Sequence, residues 1–413
     1  MAANLARRLR AEWPAWVAIA FVAFVPFHRL MEFPMMTFVV AFFWLLRSAE
    51  ARARMREALP LVGVLFLCFW LPILFSSPDS YRPSRGFSTS LVMLRYLAAA
   101  LSMSVLLRPP ELRWLALRGM AVVLLFWALD GYVQMVFGRD LFGYPLHPDR
   151  VNALFGKRFM FYGPVLGMLA PLSFEYARQR WPLWAWAASF AFIMAAVLMA
   201  GMRAGWVMMA LMCLIYFVML LKCPQPRVRR AAMLLPVLVL VVAAFSYVGS
   251  DKVRKRVDDS LLMVRGSEQT IDAGTSLRLP IWRAAWEMYL AHPINGVGVR
   301  AYPVAYYEFA PPDDVHIVGN KAHNGGSHAH NIVLEAMSET GTIGLLGLLL
   351  GYWLAWRAWR AATPDSRAES LPYVLVLLMI MFPLNSHFAI FGVFTSSLIW
   401  FAMGLWGAAW RRA

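Results

Sequence analysis

The sequence predicts an all-α polytopic integral membrane protein with about twelve transmembrane helices and a large, partly helical outward loop, and three observations predict it. Hydrophobic residues make up 61% of the 413-residue chain and charged residues only 15%. The apolar residues gather in runs of roughly 20, enough to cross a hydrocarbon core, without the alternation of barrel strands. Basic residues recur on every second connection between the runs, as the positive-inside bias requires. Because an unsatisfied backbone group is costly in hydrocarbon, such runs must be helices, and a soluble fold is excluded.

Taken in order, the spans read as 14–27, 34–46, 59–75, 87–107, 114–137, 159–176, 184–200, 205–221, 231–248, 331–356, 373–384 and 388–410. The first two are short and proline-bounded, and only Asn385-Ser386-His387 separates the last two, so eleven or thirteen remain alternatives. The inward connections carry Arg7, Arg8 and Arg10; Arg47, Arg52, Arg54 and Arg56; Arg108, Arg113 and Arg118; Arg178 and Arg180; Lys222, Arg227, Arg229 and Arg230; Arg357 and Arg360; and Arg411 and Arg412. Both termini are then expected to be cytoplasmic. The net charge of +16 is mostly this topology signal. It implies anionic lipid headgroups as neighbours, and no nucleic-acid motif accompanies it.

The basic N-terminus and first apolar stretch have no small-residue cleavage site, so they read as an uncleaved anchor. Cys68, Cys213 and Cys223 lie in spans or at the inner edge and indicate no disulfide framework. Three regions follow: an N-terminal bundle of about nine helices over 1–248, an outward loop or cap over 249–330, and about three C-terminal helices over 331–413.

Two outward connections are long. One is 138–158; the other, 249–330, carries nine basic and nine acidic side chains and is too long for structureless chain, so it reads as a small folded cap. Within it, 279–290 has helical periodicity, with Ile281, Trp282, Ala285, Trp286 and Tyr289 forming an apolar stripe and Pro280 suited to the first turn. Certain cations sit where the inward bias would not put them, among them Arg203, in the tight turn Gly201-Met202-Arg203-Ala204-Gly205, and Arg278, which opens the cap helix. A pair of guanidiniums at the outer membrane face can hold a diphosphate through bidentate, charge-assisted hydrogen bonds, so a lipid-linked pyrophosphate is the expected ligand. The plainer readings are a snorkelling arginine and a solvated one. Lys157 and Arg158, at the outer end of a span, are auxiliary phosphate contacts or headgroup anchors.

His330-Asn331 is followed, after nine residues, by Gly341-Thr342-Ile343-Gly344. In an uninterrupted helix, eleven residues make three turns plus about 20°, placing Gly341 beneath His330, and both glycines would let a neighbouring helix approach closely. His330 is then a positioned imidazole, against the alternative of an interfacial histidine. Asn331 orients it or caps the following helix. His316, His323, His328 and His330 cluster in one segment, but their spacing matches no tight zinc pattern, and no metal is expected.

His330-Asn331 with its glycine pair, Arg203 on an outward turn, Arg278 at the loop helix and Pro293-Ile294-Asn295-Gly296-Val297-Gly298 together resemble the O-antigen ligase superfamily. The resemblance implies a membrane-embedded, GT-C-like, inverting glycosyltransferase of the Gram-negative inner membrane, needing no metal or cofactor and working on the periplasmic side. Its donor would be polysaccharide on undecaprenyl diphosphate and its acceptor a sugar hydroxyl of lipid A–core, placing it in lipopolysaccharide biosynthesis. By carry-over His330 is the general base, Arg203 and Arg278 hold the diphosphate, His328 and Asn331 are auxiliary, and Gly341 and Gly344 are structural. The superfamily also contains O-antigen polymerases and protein O-oligosaccharyltransferases; the chain's length, without an appended C-terminal domain, looks more like a ligase. A polysaccharide transporter or flippase is the competing class, and it gives no reason for key charges to gather at one face.

Two expectations follow for glycan transfer. His330→Ala abolishes it without impairing expression or membrane insertion, and normal transfer by that variant refutes the base role. Arg278→Lys impairs it because an ammonium cannot reproduce a planar fork; unchanged donor affinity would count against diphosphate binding.

Overall fold

The computed structural model of the protein describes residues 2–156, 161–222, 225–262, 277–318, 326–383, 385 and 388–412, with side chains from residue 11 onward. Among these residues the architecture is helical, and pairing of strand type is limited to the isolated bridges Arg139–Pro145 and Ala362–Arg412. The helices are α1 Ala2–Phe24, α2 Glu32–Leu45, α3 Ala49–Phe75, α4 Pro83–Leu106, α5 Pro110–Phe137, α6 Tyr162–Arg180, α7 Leu183–Met199, α8 Arg203–Leu221, α9 Pro226–Gly249 and α10 Asp251–Leu262. They are followed by α11 Leu279–Ala291, α12 Tyr302–Phe309, α13 Val315–Val318, α14 Ile332–Arg360, α15 Pro364–Ile380 and α16 Val393–Ala409. By length and composition, seven helical stretches are apolar enough to cross a membrane: Ala11–Leu45, α3, α4, α5, α8, α9 and α14. The chain is therefore a polytopic membrane protein.

The chain divides into two compact units. The first comprises Met1–Pro34, Pro109–Leu262 and Leu371–Met379. Here α5 packs on α1 and α6, α6 on α7 and α8, and α9 on α7 and α8. At its centre Glu175 is buried, accepting two hydrogen bonds from Arg178 (2.7 and 2.8 Å) and one from Tyr216 Oη (2.6 Å). A buried carboxylate is tolerable only when paired in this way. The connection after α5 is fixed by three α5-proximal side chains. Asp130 accepts from the Leu141 amide, Gln134 Oε1 from those of Asn152 and Ala153, and Asp140 from those of Phe142 and Tyr144.

The second unit comprises Met35–Arg108, Met263–Ser370 and Ile380–Ala413. Its membrane core is α3, α4, α14 and α16. Close helix approach here uses glycines other than the expected pair. A Cβ on Gly347 would strike the Cys68 carbonyl of α3, and one on Gly404 would come within 2.9 Å of Met103 on α4. The outward segment has its own core of Ile281, Ala284, Ala285, Met288, Val297, Tyr302, Ala305 and Tyr306. The buried stripe of α11 is thus Ile281, Ala284, Ala285 and Met288; Trp286, expected on it, is 45% exposed. Trp282, also expected on the stripe, packs against this core from its edge.

The expected continuous helix from His330 through Gly344 is not what forms. The helix starts at Ile332, with Asn331 as its cap: Asn331 Oδ1 accepts from the amides of Val333 (2.9 Å) and Leu334 (3.0 Å). It is then interrupted at Gly341 (φ 63°, ψ −158°). An intact helix would pair the Thr342 and Ile343 amides with the Ser338 and Glu339 carbonyls. Instead the segment 293–298 inserts between them. Pro293 O and Ile294 O accept from Thr342 N (2.8 Å) and Ile343 N (3.2 Å), while Val297 N and Gly298 N donate to Ser338 O (2.8 Å) and Glu339 O (3.0 Å). Two helix bonds are replaced by four tertiary ones, and every backbone group exposed by the break finds a partner. The approach at Gly341 is therefore by a loop, not by a neighbouring helix. Gly344 serves the same kink from within the helix, where a Cβ would strike Thr340 Oγ1.

A side chain at position 341 would meet the Ile294 carbonyl in a backbone region that L-residues avoid. Gly341→Ala is therefore expected to cost about 2 kcal/mol or more, read as a lower thermal unfolding midpoint of the detergent-purified protein. Gly351→Ala is the control, since its Cβ would meet only Cys68 Cβ at 3.7 Å. Equal midpoints for the two variants would refute the docking role.

Candidate active site

The loop that docks into the helix break also builds a pocket. Val297 O accepts from Tyr81 N (3.0 Å), and Asn295 Nδ2 donates to Asp79 Oδ2 (2.9 Å). Tyr81 Oη donates to Glu308 on α12 (2.8 Å), and Ser80 Oγ accepts from Arg82 N (3.0 Å). The connection between α3 and α4 is thereby held against the loop, with Arg82 and Arg85 at the start of α4. Two residues beyond Gly298 stands Arg300.

These three arginines line a cavity of about 190 Å³ with Ser327, His328, Glu335, Glu339 and the 389–392 turn. Among the described residues, none of the three guanidiniums makes a salt bridge or hydrogen bond. Burial lowers the pKa of Arg300 and neighbouring Arg85 lowers it further, while Glu339 and Glu335 act in the opposite sense. Glu335 and Glu339, one turn apart on the same face of α14, are 1% and 3% exposed. Glu339 Oε2 accepts from the Arg300 amide (2.7 Å). Glu335 Oε1 lies 3.5 Å from the Phe391 amide, and its Oε2 has no hydrogen-bond partner. Each carboxylate thus ties one wall of the pocket to α14.

Two imidazoles complete the site. The rings of His328 and His330 lie 3.8 Å apart between centroids at 41°, and His328 Nδ1 is 3.0 Å from Ser327 Oγ. His330 adopts φ 48°, an uncommon backbone state of the kind that gathers at functional sites. It is His328 that lines the cavity, with His330 packed against it. His316 is engaged elsewhere, its Nε2 2.7 Å from Leu277 O.

The other residues singled out by sequence fall as follows. Arg278 is the residue before α11, partly buried, in the same unit as the histidines. Arg203 is the first residue of α8 in the other unit, with Nη2 3.9 Å from Asp259 Oδ2. Arg256 stands near it: a Cβ on Gly201 would lie 3.5 Å from Arg256 Nε, and Arg256, after burial, lowers the pKa of Arg150. Lys157, Arg158 and His323 lie outside the described residues. Sequence reasoning missed Arg82, Arg85, Arg300, Glu335 and Glu339. The criterion that selected Arg203 and Arg278 also fits Arg82 and Arg85, which stand on a connection the alternation makes outward. The two glutamates carried another signal, since acids inside an apolar span are expensive and mark function.

With this geometry in place, comparison with known proteins is specific. The family described as O-antigen ligase matches residues 187–349, a stretch that includes Arg203, Arg278, Arg300, both histidines, both glutamates and the glycine pair. No curated protein matches the chain. That match covers residues 187–349 of the 413 and supports a place for the chain in the O-antigen ligase/polymerase superfamily.

Proposed function

We propose that the protein is an O-antigen ligase, moving polysaccharide from undecaprenyl diphosphate to a sugar hydroxyl of lipid A–core at the periplasmic face of a Gram-negative inner membrane. The observation that carries this reading is the convergence on one pocket of an imidazole and three guanidiniums that have no ion-pair partner among the described residues. Glu335 and Glu339 line the same cavity but make no hydrogen bond to these guanidiniums among the described residues, so the donors of all three are left for an anion, and a diphosphate supplies both charge and acceptor oxygens.

The chemistry is an inverting displacement. The acceptor hydroxyl gives its proton to an imidazole, its oxygen attacks the anomeric carbon, and the bond from that carbon to the diphosphate oxygen breaks. The electron pair stays on undecaprenyl diphosphate, which leaves. His330 is the base, the role the family resemblance gives it, and His328 is the ring stacked on it at the pocket wall. Imidazole is the side chain whose chemistry best suits taking up and passing on a proton at neutral pH. Arg82, Arg85 and Arg300 stabilise the charge that grows on the leaving group; the diphosphate-holding role of Arg203 and Arg278 rests on the resemblance alone. No step requires a divalent metal.

Reconstituting the purified chain with lipid-linked polysaccharide and lipid A–core, with a chelator present, tests this directly. The expected product is polysaccharide joined to core. Lengthened lipid-linked glycan with bare core would instead make the protein a polymerase, and glycan moved across the bilayer without a new bond would make it a transporter. The double variant Arg82→Ala/Arg85→Ala is expected to lose about tenfold or more in transfer, the order of one charge-assisted hydrogen bond. Transfer at the unsubstituted rate would remove these residues from the site.

A further inference from the structure

Arg300 sits in a left-handed backbone conformation, φ 58°, within the turn closed by Ala301 N donating to Gly298 O (3.1 Å). Arginine has no intrinsic preference for that state, so something must hold it there. Glu339 grips the turn at two points: its backbone carbonyl accepts from Gly298 N (3.0 Å), and its carboxylate accepts from Arg300 N (2.7 Å). Glu339 is 3% exposed and lines the same cavity as the arginines. Its charge has the wrong sign to attract an anion into that cavity, so its place there calls for another explanation.

We propose that Glu339 is a positioning residue that acts through Arg300, locking the 298–301 turn so that the guanidinium points into the pocket where the diphosphate binds. This rests on the reading that the pocket takes a diphosphate. The two roles open to Glu339 predict opposite signs. If it served only as a counter-charge, its removal would strengthen anion binding; if it positions Arg300, removal weakens binding as Arg300 swings out of register. Acting through Arg300 also means that the two residues cannot contribute independently.

The test is a double-mutant cycle on the full chain in detergent micelles, with undecaprenyl diphosphate as the probe and a thermal melt to show that each variant is folded. Arg300→Ala is expected to weaken binding about tenfold or more, Glu339→Ala to weaken it by a similar factor, and the double variant to bind no worse than Arg300→Ala to within about twofold. Glu339→Gln keeps an oxygen for the Arg300 amide and is expected to bind nearly as well as the unsubstituted chain. If Glu339→Ala does not fold, the cycle runs with Glu339→Gln. Arg300→Ala must then still cost about tenfold in that background, and disappearance of its effect would overturn positioning through the backbone. Tighter binding by Glu339→Ala, or losses that multiply in the double variant, would overturn the inference while leaving the diphosphate reading intact. An Arg300→Ala variant with unchanged affinity would overturn both.

Discussion

The interruption of α14 at Gly341 is the constraint on which the rest of the second unit depends. A break in a membrane-embedded helix exposes amides and carbonyls that the surroundings cannot satisfy, and here the 293–298 segment satisfies all four. This interaction explains why two glycine-containing motifs far apart in sequence belong together. Pro293 to Gly298 supplies the donors and acceptors, and Gly341 supplies the left-handed turn and the room. From the docked loop the pocket follows: Tyr81 pairs with Val297 and fixes the α3–α4 connection, while Arg300 and Glu339 meet across the break.

The pocket's charge pattern is the second consequence. Arg82, Arg85 and Arg300 face a floor holding Glu335 and Glu339, and the carboxylates are occupied largely with backbone amides of the walls. Burying an acid against amide donors offsets part of its desolvation cost and makes the loops rigid. The guanidiniums are left to face the cavity. That division separates the groups that build the site from those that would meet the substrate. A ligand of complementary charge would be a multiply charged anion with oxygens spread over several ångströms, as in the diphosphate proposed above.

Much of this was legible in the residues, and the failures have physical causes. Apolar runs located the helices closely: the run read at 205–221 is the helix Arg203–Leu221, and that at 231–248 lies within Pro226–Gly249. Helix α6, read as a span at 159–176, is not among the seven apolar stretches. It carries Ser173 and Glu175, yet nearly all of it is enclosed by protein, where polar groups find partners. The pairing of the histidine with the glycines was visible, but the assumption of unbroken helix assigned the glycines to helix packing. A periodicity argument cannot see a tertiary loop replacing i→i−4 bonds. In α11 it marked the correct helix and set the buried stripe too wide, because Trp286 and Ala285 look alike to an apolar pattern while only the smaller fits against Tyr302 and Tyr306. Nothing in the sequence set Arg300 apart from the other basic residues of 249–330, because the bond from its amide to Glu339 joins positions 39 apart.

The central claim is that the arginines gathered by the loop-in-helix junction receive the diphosphate of a lipid-linked donor. The most direct measurement is an experimental structure of the full chain with undecaprenyl diphosphate bound. The account predicts phosphate oxygens within about 3 Å of the guanidiniums of Arg82, Arg85 and Arg300, the distance of a charge-assisted hydrogen bond. Phosphates bound elsewhere, with that cavity holding only water, would contradict it.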